Sequence, residues 1–166
     1  MIRAFRRSDG RPGVRNHVIV LPTVVCANAV AEEVGRRVRG VHAITHAYGC
    51  TLDPVANSEM TSVFAGIAAN PNVYAAILVS LGCETVMGEE VMDRARRMGA
   101  RCELIAIQEE GDTFAAADAA AELARRFARE AESTERTDCS ESDLVVALEC
   151  GASDAFSGLS ANPAVG

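Results

Sequence analysis

Two hydrophobic rhythms alternate along this chain. Dense apolar runs recur at residues 17–21, 75–81 (broken only by Ser80), 104–107 and 144–148, with a more mixed one at 41–46. Between them, apolar side chains return every three or four positions: Val30, Val34 and Val38; Met60, Val63, Phe64 and Ile67; Val91, Ala95 and Met98; Ala120, Leu123, Ala124 and Phe127. The runs read as strands buried on both faces and the spaced sets as helices with one buried stripe. Punctuation agrees with this division. Pro22 stops the first strand, Asn28 opens a helix that Gly40 closes, Asn70-Pro71 and Gly99 end the next two, and Asp112 or Thr113 caps the longest. Strands that alternate with helices pair in parallel through right-handed crossovers. The predicted fold is therefore α/β: a three-layer, Rossmann-like sandwich around a mainly parallel five-stranded sheet. Residues 1–150 form this domain, and residues 151–166, rich in Gly, Ser, Asn and Pro, form a loop-rich tail expected to lead into a further C-terminal segment.

Composition narrows the function classes. With 166 residues, 49% of them apolar, the chain can build one substantial core. Sixteen arginines, no lysine and 23 acids give a net charge of −7, which offers no basic stripe to a nucleic acid and no amine for Schiff-base chemistry. The N-terminus lacks a signal-peptide core and no run reaches the length of a membrane span, so a cytoplasmic protein is expected. Thiols stay reduced in that compartment, and six cysteines there point to ligation or catalysis before disulfides. Cys102, at the start of a strand, and Cys139, in the polar stretch 133–142, read as structural.

Cys26, Cys50, Cys83 and Cys150 each follow the C-terminal end of a predicted strand, where an open parallel sheet forms its ligand crevice. Adjacent glycines in Gly49-Cys50, Gly82-Cys83 and Cys150-Gly151 permit sharp turns and close approach of a ligand. Small residues that merely fit tight turns would look the same. His46 precedes one such turn and reads either as a structural histidine or as a ligand or general base. Glu84 reads as a catalytic carboxylate or as an acid favoured before a helix N-terminus. Arg15 and Asn16 fall before the first strand, at the opposite edge; they either anchor the chain there or recognise a carboxylate. Ser153, Asp154, Ser157 and Asn162 offer donors and acceptors for a polyol, in a composition that turns also use. No G-x-G-x-x-G, P-loop or G-x-S-x-G is present, which disfavours nucleotide binding and hydrolase triads.

Several segments together resemble the altronate and galactarate dehydratase family, which includes the large subunit of sulfolactate sulfo-lyase. They are Asp9-Gly10-Arg11-Pro12-Gly13-Val14-Arg15-Asn16, Leu21-Pro22-Thr23-Val24-Val25-Cys26-Ala27-Asn28, His46-Ala47-Tyr48-Gly49-Cys50, Gly82-Cys83-Glu84, Glu149-Cys150-Gly151-Ala152-Ser153-Asp154-Ala155-Phe156-Ser157-Gly158 and Ala161-Asn162-Pro163-Ala164. Thr51 departs from the pattern, since relatives commonly place glycine or glutamine after the Gly-Cys pair. The resemblance implies a lyase that removes water, or sulfite in one branch, from a hydroxylated acid, generally with divalent iron. It also implies a small β-rich domain or separate subunit as partner and a long C-terminal segment; a homo-oligomer is compatible with the sequence, which leaves the oligomeric state open.

Iron, mononuclear or as an iron–sulfur cluster, would bind both the carboxylate and the leaving hydroxyl of such an acid. Cys26, Cys50, Cys83 and Cys150 are the candidate metal ligands, His46 and Glu84 the candidate catalytic groups, and Arg15, Asn16, Ser153, Asp154, Ser157 and Asn162 the candidate substrate contacts. Elimination of water would yield a 2-keto-3-deoxy acid. The rival expectations are a sulfo-lyase subunit and a non-catalytic binding or assembly module.

Overall fold

The computed structural model describes residues 1–149, 151 and 154–166. A four-stranded parallel sheet forms its centre, in the order β4 (Val41–Ala43), β3 (His17–Pro22), β5 (Val73–Ser80), β6 (Cys102–Ala106). Side chains on adjacent positions of a strand point to opposite faces, and the core divides accordingly. Val18 and Val20 of β3 with Ala75, Ile77 and Val79 of β5 pack under α1 (Asn28–Arg37) and the last long helix. Ile19, Leu21, Ala76 and Leu78 face the opposite way, under α2 (Pro54–Ala68) and α3 (Gly88–Arg97). A row of Leu21, Leu78 and Leu104 runs across three strands in register. The chain is thus three layers, as the two rhythms predict.

After β6 a short helical turn, α4 (Ile107–Glu110), reverses the chain into α5 (Thr113–Ser133). Asp112 begins α5 by accepting from the N–H groups of Phe114 and Ala115, at 2.7 and 2.8 Å, so two donors with no intrahelical partner are satisfied. The buried alanines 116, 117, 120, 121 and 124 let the helix lie close to the sheet and α1. Phe127, 1% exposed, supplies the bulk at its far end, and its burial contributes about 2–3 kcal/mol.

The five-strand expectation is corrected. Residues 144–148 join no strand and pair with neither sheet, with Val145 92% and Val146 75% exposed. The reason lies just upstream, in a part of the chain whose polar sequence reads as a linker. β7 (Thr137–Cys139) pairs antiparallel with β1 (Ile2–Arg6), which also pairs with β2 (Pro12–Gly13), making a separate three-stranded sheet. That pairing carries the chain toward the N-terminal edge of the parallel sheet, where Leu144, Val145 and Ala147 line a cavity together with Pro12, Val14 and Asn72. Beyond this point the tail forms a 3₁₀ turn (Ala155–Gly158) and a short helix, α6 (Ala161–Val165).

Arg136 fastens the small sheet. Its guanidinium lies 4.5 Å from the Phe5 ring centroid and donates to the carbonyls of Arg3 and Val14, at 2.9 and 3.1 Å. Replacing it by alanine is expected to cost about 1.5–4 kcal/mol, the sum of an exposed cation–π contact and two hydrogen bonds, read as a lower urea midpoint at unchanged slope.

Candidate active site

β3 is the first parallel strand in the chain, and its neighbours are added on either side, β4 on one and β5 on the other. Such a reversal of winding opens a crevice at the C-terminal ends of the strands. Three turns meet there. Each carries a cysteine: Cys26 follows β3, Cys50 follows β4 and Cys83 follows β5, and all three are exposed, free thiols.

Backbone hydrogen bonds tie these turns together. The Val25 N–H donates to the Tyr48 carbonyl at 2.8 Å, joining the first turn to the second, and the Thr85 N–H donates to the Gly49 carbonyl at 3.2 Å, joining the second to the third. The Thr85 hydroxyl adds to the second link, accepting from the Leu52 N–H at 3.2 Å. Gly49 is the point of closest approach. Its φ is +97°, and a Cβ there would stand 2.0 Å from the Thr23 carbonyl oxygen. Only glycine allows both the backbone conformation and the contact.

Glu84 lies inside this frame. It is 6% exposed, and each carboxylate oxygen accepts twice: Oε1 from the Thr23 hydroxyl at 2.8 Å and the Leu81 N–H at 3.1 Å, Oε2 from the Gly82 N–H at 2.7 Å and the Cys83 N–H at 3.0 Å. Burial by itself raises the carboxyl pKa. The hydrogen bonds from Gly82, Thr23 and Leu81 outweigh it and hold the group below its ordinary value of 4.5. The side chain folds back on its own turn and fixes where Cys83 stands.

His46 is engaged in the same way. Tyr48 N–H can only donate, so His46 Nδ1 accepts from it, at 3.2 Å, and Nε2 carries the proton and donates to the Pro22 carbonyl at 2.7 Å. Its ring lies 4.5 Å from the Phe64 ring, centroid to centroid. Asn28 Nδ2 donates to the His46 carbonyl at 2.7 Å. Both expected catalytic groups therefore spend their polar atoms on holding the cysteine turns.

The other candidates separate in space. Arg15 and Asn16 stand at the N-terminal end of β3, a strand length of about 20 Å from the cysteine turns. Asn16 Nδ2 donates to the Ala131 carbonyl at 2.8 Å and its Oδ1 accepts from Arg7 at 2.8 Å, so it anchors the chain between α5 and the start of β3. Asp154 accepts from the Phe156 N–H within the tail, and Ser157 and Asn162 line a tail cavity of about 550 Å³ with Leu148, Glu149 and Val165. Cys150 and Ser153 lie outside the described residues. Cys102 and Cys139 are both buried, and burial pushes the Cys102 thiol up.

Thr23 and Thr85 were not among the sequence candidates. The available signal was their position, one directly after a strand-ending proline and one directly after Gly82-Cys83-Glu84.

As a donor set for iron the described part is partial. It offers three exposed thiols, whose softness suits iron, but no group of three or more His, Cys, Asp and Glu side chains among the described residues is arranged to hold a metal ion. Completing a centre therefore calls on groups outside these residues. No helix among the described residues is long and apolar enough to cross a membrane.

The chain belongs to the D-galactarate dehydratase/altronate hydrolase family: residues 4–132 match its second domain, and residues 141–166 match the D-galactarate/altronate dehydratase C-terminal region. Among particular proteins, it is 39% identical over 163 residues to (2R)-sulfolactate sulfo-lyase subunit beta of Chromohalobacter salexigens, a match covering 98% of this chain and 41% of that one. It is 30% identical to the altronate dehydratase of Bacillus subtilis and 28% identical to that of Escherichia coli, in each case over 99% of this chain and 35% of the relative. These relatives are named as lyases. The chain spans about two fifths or less of their length.

Two substitutions test the frame. Glu84→Gln places an amide N–H₂ against backbone donors and removes a charge they stabilise, for an expected loss of about 2–3 kcal/mol at neutral pH. Because the folded carboxyl has the lower pKa, its contribution is present above the ordinary value of 4.5 and is lost as pH falls through the folded value. Urea midpoints should fall less steeply below that pH in Glu84→Gln than in the parent. Gly49→Ala should cost about 2–3 kcal/mol or more by overpacking against Thr23, seen as a lower thermal midpoint.

Proposed function

We propose that this chain is the α/β part of a hydro-lyase that removes water from a hydroxylated sugar acid of the altronate or galactarate type, giving a 2-keto-3-deoxy acid. The observation that carries the reading is the interlocked set of turns holding Cys26, Cys50 and Cys83 at the sheet's switch point, in a chain of this family. In the reaction a proton leaves the carbon beside the carboxylate, its electron pair forms the carbon–carbon double bond, and the neighbouring hydroxyl departs as water. The resulting enol takes up a proton on carbon to become the keto acid. Ferrous iron is the proposed cofactor, and when bound it supplies Lewis acidity for the carboxylate and the leaving oxygen.

In this reading Cys26, Cys50, Cys83 and Cys150 would be the iron's ligands once groups outside the described residues complete the site, since the described thiols alone do not form a metal-holding cluster. Glu84 and His46 are positioning residues. Glu84 sets the backbone of the Cys83 turn, and His46 spans Pro22 and Tyr48 so that the first two turns keep their spacing. Thr23 ties Glu84 to the end of β3. The winding of the parallel sheet supports the Rossmann-like comparison, and a cytoplasmic location and a small β-rich partner remain part of the proposal.

A second reading has its own support. The 39% identity to the sulfo-lyase subunit exceeds the 30% and 28% to the two altronate dehydratases. There the leaving group is sulfite, and the rest of the elimination is the same.

The test is to purify the protein containing this chain anaerobically with its small partner, load iron, and assay altronate, galactarate and sulfolactate for keto acid and sulfite. Turnover of one acid is expected. Cys83→Ser should lower both bound iron, read by visible absorbance and metal analysis, and kcat, the latter at least about tenfold. Absence of turnover on all three, with no iron retained, refutes the reading.

A further inference from the structure

The opposite edge of the parallel sheet carries a second cavity, of about 220 Å³, bounded by the end of α2, the start of β5 and the residues before β6. β5 separates it from the cysteine turns by about 25 Å. Four arginines line it, Arg6, Arg7, Arg11 and Arg101, against a single acid, Asp9. That is a local excess of positive charge in a chain whose net charge is −7.

Two of the four are accounted for within the fold. Arg11 pairs with Asp9 at 2.6 Å and donates to the carbonyls of Ala69 and Met98, where α2 and α3 end, so it answers the negative ends of those helices. Arg101 pairs with Glu130 at 2.5 Å. Arg6 and Arg7 make no ion pair among the described residues. Arg6 donates to the Gly10 carbonyl and to the Cys139 sulfur. Arg7 is half-buried and donates to the Pro71 and Arg15 carbonyls and to Asn16 Oδ1, all neutral acceptors. Its burial lowers the guanidinium pKa, the mark of a cation partly stripped of water.

We infer that this cavity binds a compact anion with at least two charged oxygens, a phosphate or a small dicarboxylate. Neither guanidinium has a carboxylate within ion-pair distance among the described residues, although Asp9 acts on Arg7 from further off; Arg6 commits two of its N–H groups and Arg7 three to protein acceptors, so each keeps N–H donors and its charge for such a ligand. The volume lies below the range of sites for drug-sized molecules, which fits a small anion. The site lies far from the cysteine turns, so its ligand does not compete for them.

Inorganic phosphate and malonate, titrated calorimetrically into the chain at constant ionic strength with chloride as control, distinguish the two sources. Saturable binding of either is expected. Arg6→Gln, an exposed position, should weaken it at least about tenfold, or roughly 1.4 kcal/mol. Ser8→Asp, which places a carboxylate at the cavity wall, should abolish it. Both variants should keep the parent's far-ultraviolet circular dichroism. Absence of saturation up to about 10 mM of both anions, or binding by Arg6→Gln and Ser8→Asp as strong as the parent's, overturns the inference.

Discussion

A buried carboxylate with every lone-pair direction occupied sets the geometry of the sheet's functional edge. Glu84 gives up water on folding, a cost that only a full complement of donors offsets. It finds them in three consecutive backbone N–H groups of its own turn and in the Thr23 hydroxyl at the end of the neighbouring strand. The turn after β5 therefore has one arrangement, and the turn after β3 is fixed to it. The turn after β4 is then held by Gly49, wedged against Thr23 and bonded to Thr85. Three turns far apart in sequence acquire fixed relative positions through these hydrogen bonds and the close backbone contact at Gly49.

Much of this was legible in the sequence, for reasons that differ by element. The strands of the parallel sheet are short apolar runs because both their faces are covered, and burial on two faces leaves a pattern no surface element shares. The helices declare themselves by stripes and caps. Cysteines at strand ends follow from those boundaries alone. The antiparallel sheet left no comparable mark. β1 and β7 are separated by most of the chain, and Thr137–Cys139 is polar enough to pass for a linker. Residues 144–148 erred in the other direction. Their composition favours a strand, but a strand also needs an edge to pair with, and they belong to the C-terminal family region, not to the domain that supplies the sheet.

The roles of His46 and Glu84 were out of reach for a different reason. A histidine or glutamate in a glycine-rich turn has the same sequence signature whether its polar atoms face a ligand or the backbone beneath it. What decides is the direction of a few N–H groups, and that direction is set by turns the residue itself helps to hold. Thr23 and Thr85 were overlooked because a hydroxyl that bonds locally costs the sequence nothing distinctive.

The occupied turn after β5 also constrains how an acidic substrate could be recognised. Successive backbone N–H groups at the end of a parallel strand are a common anion site in α/β folds. Here the N–H groups of Leu81, Gly82 and Cys83 already face the carboxylate of Glu84. A ligand carboxylate brought to that turn would meet a fixed negative charge in place of free donors, and like charges held close in a poorly solvated site repel by several kcal/mol. The chain therefore presents thiols at this edge and keeps its arginines with spare capacity at the other. Under the proposed function, groups that neutralise the substrate's acid beside the cysteine turns would come from a bound cation or from polypeptide outside the described residues; the chain spans 35–41% of its relatives' length.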